Sequence, residues 1–289
     1  MKRIWITGAS GQLGLALYSL LQDSTKYELY RTGLRTGIGK ELPVLDISDK
    51  EAVENYVEQI KPEIIINCAA MTAVDLCESE EERAYNINAL GPKYLAQAAE
   101  VIGAKLIHIS TDYVFDGMAN EPYTEASTPN PASAYGRTKQ LGDNFVESNC
   151  SRYFILRTAW IYGEGKNFVK TMLRLADSGN PIRVVADQFG TPTSALELAR
   201  VIVLLMETEN YGIYHATCEG STSWYEFATT IFKELKMETE VLPITTKEYP
   251  TPAKRPKYSV LDNQALRERH GYTMKEWQEA LREYLEQMK

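Results

Sequence analysis

The stretch Thr7-Gly8-Ala9-Ser10-Gly11-Gln12-Leu13-Gly14 decides the fold. It lies between an apolar segment, Lys2–Thr7, that we expect to be a strand and a periodic segment, about Gln12–Gln22, that we expect to be a helix. In such a turn the first glycine permits a sharp bend, the second lets the backbone approach a pyrophosphate, and the third lets the helix pack on the strand. The helix N-terminus also favours phosphate groups. An ordinary turn with incidental glycines is the alternative, but the position in the chain favours a dinucleotide-binding loop with Gly8, Gly11 and Gly14.

The rest of the first half continues the alternation of strands and helices. Further strands are expected at Tyr27–Arg31, Pro43–Leu45, Glu63–Asn67, Lys105–Ser110 and Tyr153–Arg157. Three helices are expected between these strands. One begins with a capping box of Ser48 and Glu51, the next spans about Ser79–Val101, and the third runs from after Pro131 to about Ser148. Strands separated by helices of this length imply right-handed crossovers and a parallel sheet. The fold class is therefore α/β, a Rossmann-type doubly wound parallel sheet.

The second half is less regular and predicts a smaller, mixed α/β substrate-binding lobe. Helices are expected at Asn167–Ser178, Ser194–Glu207, Ser223–Leu235 and Met274–Lys289, the last two with capping boxes Ser223…Glu226 and Thr273…Glu276. Short strands are expected at Arg183–Val185, Gly212–His215 and Glu240–Leu242. We place a dinucleotide-binding domain at 1–157 and a substrate-binding lobe mainly at 158–289, parts of which could return to the first domain.

Composition excludes several classes of protein. Of the 289 residues, 31 are Lys or Arg and 39 are Asp or Glu, so the net charge of −8 argues against nucleic-acid binding. No apolar run approaches the roughly 18 residues that span a bilayer. The four cysteines show no C-x-x-C spacing and the three histidines are scattered, which predicts reduced thiols, a cytoplasmic protein and no metal site.

The end of the second predicted strand indicates the choice of cofactor. An acidic residue there would bind the adenosine ribose of NAD, whereas arginine pairs with the 2′-phosphate of NADP. The segment carries Arg31 and Arg35 and lacks a carboxylate, which favours NADPH, with NADH possible. Both arginines being merely solvated is the alternative.

A tyrosine and a lysine four residues apart provide a proton donor and a cation only on a helix, where both share one face. There the ammonium lowers the phenol's pKa. Two pairs have this spacing, Tyr135…Lys139 and Tyr162…Lys166. The second pair is not expected to lie on a helix, because Gly163 and Gly165 fall within it. Upstream, Ser110-Thr111-Asp112 ends a predicted strand, where open α/β sheets bind ligands.

Taken in order, these motifs resemble those of the extended short-chain dehydrogenases/reductases, over essentially the full length. Within them the chain is similar to the dTDP-4-dehydrorhamnose reductases. The more specific segments are Asn67-Cys68-Ala69-Ala70-Met71-Thr72-Ala73-Val74-Asp75, Ser110-Thr111-Asp112-Tyr113-Val114-Phe115-Asp116-Gly117, Arg157-Thr158-Ala159-Trp160, Asn167-Phe168-Val169-Lys170-Thr171-Met172 and Arg255-Pro256-Lys257-Tyr258-Ser259. The resemblance implies reduction by NAD(P)H of the C4 keto group of dTDP-4-dehydro-L-rhamnose.

The resemblance also implies residue roles. The catalytic set is Thr111, Tyr135 and Lys139, with Lys139 and Tyr135 also touching the cofactor. The cofactor residues are Gly11, Gln12 and Leu13 at the pyrophosphate, Asp46 and Ile47 at the adenine, and Ala69, Ala70 and Thr72 near the nicotinamide ribose. For Asp46 the alternative is a helix N-cap, a role that Ser48 already fits. The substrate residues are Val74, Thr111, Asp112 and Trp160 at the sugar and Arg255 at the diphosphate.

Three questions stay open at this point. Some relatives dimerise through magnesium bound by glutamates, but Leu15-Ala16-Leu17 offers no carboxylate, so monomer and homodimer are both possible. A nucleotide-sugar epimerase or dehydratase is one alternative function; a dehydratase needs an Asp-Glu pair where this chain has Asp112-Tyr113. A non-catalytic regulatory subunit of the same fold is another, and the intact Thr111, Tyr135 and Lys139 argue against it.

Overall fold

The computed structural model describes residues 1–34 and 42–288. Its strands are β1 (Lys2–Thr7), β2 (Tyr27–Arg31), β3 (Ile64–Asn67), β4 (Lys105–Thr111), β5 (Tyr153–Thr158), β6 (Ile161–Tyr162), β7 (Ile182–Val185), β8 (Phe189–Gly190), β9 (Thr193–Ser194), β10 (Gly212–His215), β11 (Thr222–Ser223) and β12 (Val241–Ile244). Its α-helices are α1 (Gln12–Leu21), α2 (Lys50–Ile60), α3 (Val74–Ser79), α4 (Glu81–Tyr85), α5 (Gly91–Ile102), α6 (Ala134–Asn149), α7 (Phe168–Ala176), α8 (Ala195–Met206), α9 (Trp224–Glu234), α10 (Gln264–His270) and α11 (Trp277–Gln287).

A six-stranded parallel sheet in the order β10-β5-β4-β3-β1-β2 forms the centre of the molecule. Both faces of this sheet are covered, because consecutive residues of β3 are apolar on both sides. Ile64 and Ile66 pack into the core on one face, and Ile65 packs into the core on the other. Helices α1 and α8 contribute to the first core, and α2 and α5 to the second. The predicted doubly wound Rossmann-type sheet is confirmed.

The second half of the chain builds a separate core and also returns to the sheet. Helices α7, α9 and α11 with strands β7 and β12 enclose an apolar cluster that includes Phe227 and Trp277. Strand β10, however, pairs with β5, and α8 packs against α1 in the core of the main sheet. The second half therefore forms a smaller core of its own, and its stretch from α8 to β10 belongs to the sheet.

Four local expectations were wrong. Pro43–Leu45 is not a strand; Val44 makes a single bridge to Gly33. The expected helix at Ser79–Val101 is divided into α3, α4, a π-helical turn at Asn86–Leu90 and α5. Helix α2 is capped by Asp49, whose side chain accepts from the Ala52 N–H, and not by Ser48, because Ser48 instead donates to Asp46. Helix α11 begins after Glu276, so the Thr273…Glu276 box does not form, whereas the Ser223…Glu226 box does.

The register places polar residues from four strands at one edge of the sheet. Thr7 is level with Asn67, Asn67 with His108, and Thr111 with Thr158. These are carboxyl ends of parallel strands, the edge at which open α/β sheets bind ligands. Within the described residues, no helix combines the length and apolarity that a membrane span requires.

Candidate active site

A cleft of about 860 Å³ opens at this edge of the sheet, between the first half of the chain and the smaller lobe. Its volume suits a sizeable organic ligand. The predicted site residues that line it are Gly8, Gly11, Gln12, Leu13, Gly14, Asp46, Ile47, Ala69, Ala70, Thr72, Val74, Thr111, Asp112, Tyr135, Lys139 and Trp160. The structure therefore brings together residues from across the first 160 positions of the sequence.

The glycine loop has the geometry that the sequence predicts. Gly8 adopts φ +60°, and a Cβ there would lie 2.6 Å from the backbone nitrogen of Ala69. A Cβ on Gly14 would lie 2.6 Å from Cα of Ala9, so α1 packs closely on the turn that connects it to β1. Gly11 occupies the N-cap of α1, whose first turn carries no acidic residue. The exposed N–H groups at this end provide a positive potential for phosphate.

Tyr135 and Lys139 lie in the first two turns of α6, on one face and at the cleft. The side chain of Ser133 caps this helix by accepting from the Gly136 N–H at 3.1 Å. A Cβ on Gly136 would lie 2.2 Å from the Tyr113 carbonyl oxygen, so only glycine lets the helix approach the end of β4 this closely. The other pair behaves as expected, since β6 ends at Tyr162 and α7 begins at Phe168.

Lys139 is almost completely buried, with 1% of its surface exposed. Its Nζ donates to the carbonyl oxygen of Ile109 at 2.7 Å and lies 3.3 Å from Nε2 of His108. Burial lowers the pKa of Lys139 to about 8, and the nearby Asp143 carboxylate acts in the opposite direction. The lysine can therefore gain or lose its proton near physiological pH.

Burial raises the pKa of the Tyr135 phenol well above its usual value, and the neighbouring Thr111 hydroxyl acts in the opposite direction. The Tyr113 ring meets the Tyr135 ring edge to face, with 5.5 Å between the ring centres, which holds the phenol in place. A protonated phenol at the cleft can donate a proton to a substrate oxygen.

Asp112 is the second titratable group at this point of the cleft. Thr111 donates to its Oδ1 at 2.9 Å, while Oδ2 has no hydrogen-bond partner among the described residues. Burial raises the pKa of this carboxyl to about 6, against the lowering effect of the neighbouring Ser259 and Thr111 hydroxyls. A buried, unpartnered carboxylate oxygen can accept a hydrogen bond from a ligand hydroxyl.

Two predicted cations do not line the cleft. The Arg31 guanidinium lies 3.6 Å from the ring centre of Tyr18. The Arg255 guanidinium donates to Oδ2 of Asp75 at 2.7 Å and to the Tyr113 hydroxyl at 3.4 Å. Arg35 lies outside the described residues. Arg83, which the sequence analysis did not single out, does line the cleft, close to Asp46.

The aromatic wall of the smaller lobe was only half predicted. Trp160 adopts φ +48° and stacks on Trp224, with ring centres 3.5 Å apart, and both line the cleft. A Cβ on Gly190 would lie 2.6 Å from the Trp160 indole, so that glycine makes room for the stack. Trp224 follows Ser223 at the start of α9, and nothing in its local sequence signals that it faces residues 64 positions earlier.

The comparisons with known proteins agree with this architecture. The family model described as the RmlD substrate binding domain matches residues 1–289. The chain belongs to the RmlD family.

Relatives and a solved structure resemble this RmlD family member over nearly their whole length. It is 42% identical to the spore coat polysaccharide biosynthesis protein SpsK of Bacillus subtilis, covering 99% of this chain and 98% of that protein. It is also 42% identical to a dTDP-4-dehydrorhamnose reductase of Aggregatibacter actinomycetemcomitans, covering 98% of each. The crystal structure of the dTDP-4-dehydrorhamnose reductase of Bacillus anthracis in complex with NADP has a TM-score of 0.94 and 43% identity, covering 99% of this chain and all of the other.

Proposed function

We propose that the chain is a dTDP-4-dehydrorhamnose reductase that uses NADPH to reduce the C4 keto group of dTDP-4-dehydro-L-rhamnose to dTDP-L-rhamnose. The observation that carries the proposal is the meeting of Thr111, Tyr135 and Lys139 beside the glycine loop in one cleft. This combines a proton donor, a hydroxyl and a cation with a phosphate-binding helix N-terminus. Relatives that share 42% and 43% of their residues with the chain carry this name.

The residues at the dinucleotide end of the cleft fit a nicotinamide dinucleotide. A side chain at Gly8 would collide with the backbone, so glycine is needed for the tight turn that leads into α1. This turn and the uncharged first turn of α1 would bind the pyrophosphate. Asp46 and Ile47 would take the adenine, and Ala69, Ala70 and Thr72 would lie beneath the nicotinamide ribose. The bound cofactor supplies the hydride.

The chain's own residues would handle the proton and the charge on the substrate oxygen. Tyr135 would donate its phenolic proton to the C4 oxygen. The Thr111 hydroxyl, which donates to Asp112 in the free protein, would turn to donate a hydrogen bond to the same oxygen as negative charge develops there. The Lys139 ammonium, anchored on the Ile109 carbonyl, would oppose the effect of burial on the pKa of the phenol when substrate and cofactor fill the cleft, and would bind the ribose. Reduction of a ketone needs no further acid or base.

The smaller lobe would bind the rest of the substrate. Val74, Asp112 and Trp160 would border the sugar, with Trp224 extending the apolar wall. Arg255 would meet the diphosphate only in competition with Asp75, to which it is now bound. Arg31, at the end of β2, would pair with the 2′-phosphate by leaving the Tyr18 ring. We further propose a cytoplasmic protein, monomeric or homodimeric, without nucleic-acid or membrane partners.

Three other functions predict different behaviour of the same cleft. A dehydratase would need a second acidic residue after Asp112, where this chain has Tyr113, whose phenol is occupied by Arg255. An epimerase would return its hydride to the substrate and consume no cofactor. A regulatory subunit would need none of the three catalytic groups.

Supplying purified protein with dTDP-4-dehydro-L-rhamnose and with its 4-keto isomers, each with NADPH and with NADH, tests the proposal. We expect stoichiometric NADPH oxidation and formation of dTDP-L-rhamnose, with slower turnover on NADH. Interconversion of sugars without net oxidation of NADPH or NADH would indicate an epimerase instead. Absence of turnover with every sugar would refute the proposal that the protein is an enzyme of this kind. Omitting the sugar controls for uncoupled oxidation.

A further inference from the structure

A buried polar chain runs from the glycine-loop strand to Lys139, deeper than the cleft itself. The Thr7 hydroxyl donates to Oδ1 of Asn67 at 2.7 Å, and Nδ2 of Asn67 lies 3.0 Å from Nδ1 of His108. The other ring nitrogen of His108, Nε2, lies 3.3 Å from Nζ of Lys139 and 3.6 Å from Oδ1 of Asp143. Asn67 and His108 are shielded from solvent, with 1% and 0% of their surfaces exposed. Their hydrogen bonds must therefore be satisfied by one another.

The direction of these hydrogen bonds follows from one backbone group. The Ala69 N–H donates to the Asn67 side chain at 3.2 Å, and only the amide oxygen can accept it. The amide nitrogen of Asn67 must then face His108 and donate to Nδ1. A neutral imidazole that accepts at Nδ1 carries its proton on Nε2. Burial, together with the Lys139 charge, lowers the pKa of His108 well below its usual value, which keeps the ring neutral.

We propose that His108 is a positioning residue for Lys139: Asn67 holds its ring in the Nε2–H tautomer, so that the ring presents a donor and not an acceptor to the lysine nitrogen. An ammonium group has three donors and no acceptor, whereas a neutral amine has one lone pair. The neutral amine accepts from His108 and donates to Ile109, and it keeps one N–H for the cleft. The inference rests on the proposed role of Lys139 and explains how a buried lysine at this place can take either charge state near physiological pH.

Asp143, Tyr135 and Asp112 are further titratable groups close to Lys139. Asp143, one turn along α6, favours the ammonium, but Ser110 and Arg157 bind its Oδ2 at 2.9 and 3.3 Å. Its Oδ1 has no geometric hydrogen bond among the described residues and faces the His108 Nε2–H at 3.6 Å. Tyr135 lies one turn before Lys139 on α6, and Asp112 follows the end of β4. Ser110 and Arg157 bind Oδ2 of Asp143, and its Oδ1 lies beyond hydrogen-bond distance of His108. The histidine N–H, 3.3 Å from the lysine nitrogen, is therefore the group that opposes the lysine charge at close range.

Nuclear magnetic resonance of the full chain tests the tautomer directly. The protein has three histidines, so ¹⁵N-histidine labelling gives three ring systems, and His108 is assigned by the signal lost in His108→Phe. We expect a protonated Nε2 and an unprotonated Nδ1, with and without NADP⁺. A proton on Nδ1, or on both nitrogens at pH 7, would overturn the proposal.

Titration of ¹³Cε-lysine tests the consequence, with Lys139 assigned by its loss in Lys139→Met. His108→Phe removes the donor and should raise the titration midpoint of Lys139 by about one pH unit. His215→Phe is the matched control, since His215 is equally buried but bonds to Tyr123 and Asp262 carbonyls. A midpoint that is unmoved in His108→Phe, or moved equally in both variants, would contradict the proposal.

Asn67→Asp separates the tautomer from simple loss of packing. A carboxylate at 67 accepts from Nδ1–H, which moves the ring proton away from Nε2 and turns that nitrogen into an acceptor for the ammonium. We expect the Lys139 midpoint to rise together with the change of tautomer. A change of the His108 tautomer without a change in the titration midpoint of Lys139 would refute the proposed link between the two residues. These readouts do not involve turnover, so failure to reduce any 4-keto sugar would remove the proposed function without affecting them.

Discussion

The Thr111 hydroxyl donates to Oδ1 of Asp112 at 2.9 Å, and Asp112 is 2% exposed. The carboxyl is thus held from one side, while Oδ2 has no hydrogen-bond partner among the described residues. A buried charge with one unsatisfied oxygen reduces stability unless a ligand satisfies it. The cleft therefore holds a group that is better suited to binding a hydroxyl than to stabilising the free protein.

Replacing Asp112 with Asn should stabilise the protein and impair catalysis. The folded carboxyl has a pKa of about 6, above its ordinary value of 3.8, so the folded state keeps a proton that the unfolded chain releases between those values. Its contribution to the free energy of unfolding therefore falls as the pH rises through this window. We expect Asp112→Asn to gain about 2–3 kcal/mol at pH 7.5.

Urea unfolding at pH 7.5 and at pH 4 measures this gain. It should be present in full at the higher pH and mostly lost at the lower, where Asp112 is protonated in the folded state and the unfolded chain is close to its ordinary pKa of 3.8. Asp116→Asn is the control, because hydrogen bonds from Met118 and Asn130 lower the pKa of Asp116, and the variant should gain nothing. Equal gains at both pH values would show that charge is not the cause.

Replacing Tyr135 with Phe should lower kcat by about 10²- to 10⁴-fold, the usual contribution of a positioned general acid. The ring and its edge-to-face contact with Tyr113 are kept, so NADPH binding, measured by fluorescence titration, should change little. Tyr162→Phe is the matched control, since the Tyr162 hydroxyl is buried and makes no hydrogen bond among the described residues. Comparable losses in the two variants would point to folding and not to proton transfer.

The features that could be predicted from the sequence are those whose residues lie close together in the chain. The glycine turn, the Tyr135…Lys139 pair and the buried strand at Ile64–Ile66 each depend on neighbours within a few residues. Ser48 was expected to cap α2, but its hydroxyl donates a hydrogen bond to Asp46, two residues earlier, at 2.7 Å. Asp49 caps the helix instead. Local pattern alone does not reveal which of several polar side chains wins such a competition.

Contacts between distant segments could not be read from the sequence. Strand β10 joins the sheet beside β5 although a mixed lobe separates them, and Trp224 meets Trp160 only because Gly190 leaves room. The partners of Lys139 come from a different strand, so its lowered pKa depends on tertiary packing. A site can therefore be located from local motifs while its electrostatics cannot.

The reductase should lose activity on the alkaline side of pH 8. Burial lowers the pKa of Lys139 to about 8, so the ammonium that assists Tyr135 is lost above that value. A profile of kcat/KM against pH locates this limb in the native protein. Lys139→Arg keeps the charge at all accessible pH values, so any residual activity should show no limb near pH 8. An unchanged limb in that variant would assign it to another group.

Removing the Trp224 indole should weaken binding of the nucleotide sugar and leave NADPH binding intact. Trp224 stacks on Trp160 at 3.5 Å between ring centres and completes the wall that the smaller lobe contributes to the cleft. Loss of one aromatic stack corresponds to about 0.5–1.5 kcal/mol, so KM for the sugar should rise roughly two- to tenfold in Trp224→Ala. Tyr225→Ala, on the next residue of the same helix and outside the cleft wall, should leave that KM unchanged. A rise in the KM for NADPH, or equal effects of the two variants, would contradict a specific role for the stack in holding the sugar nucleotide.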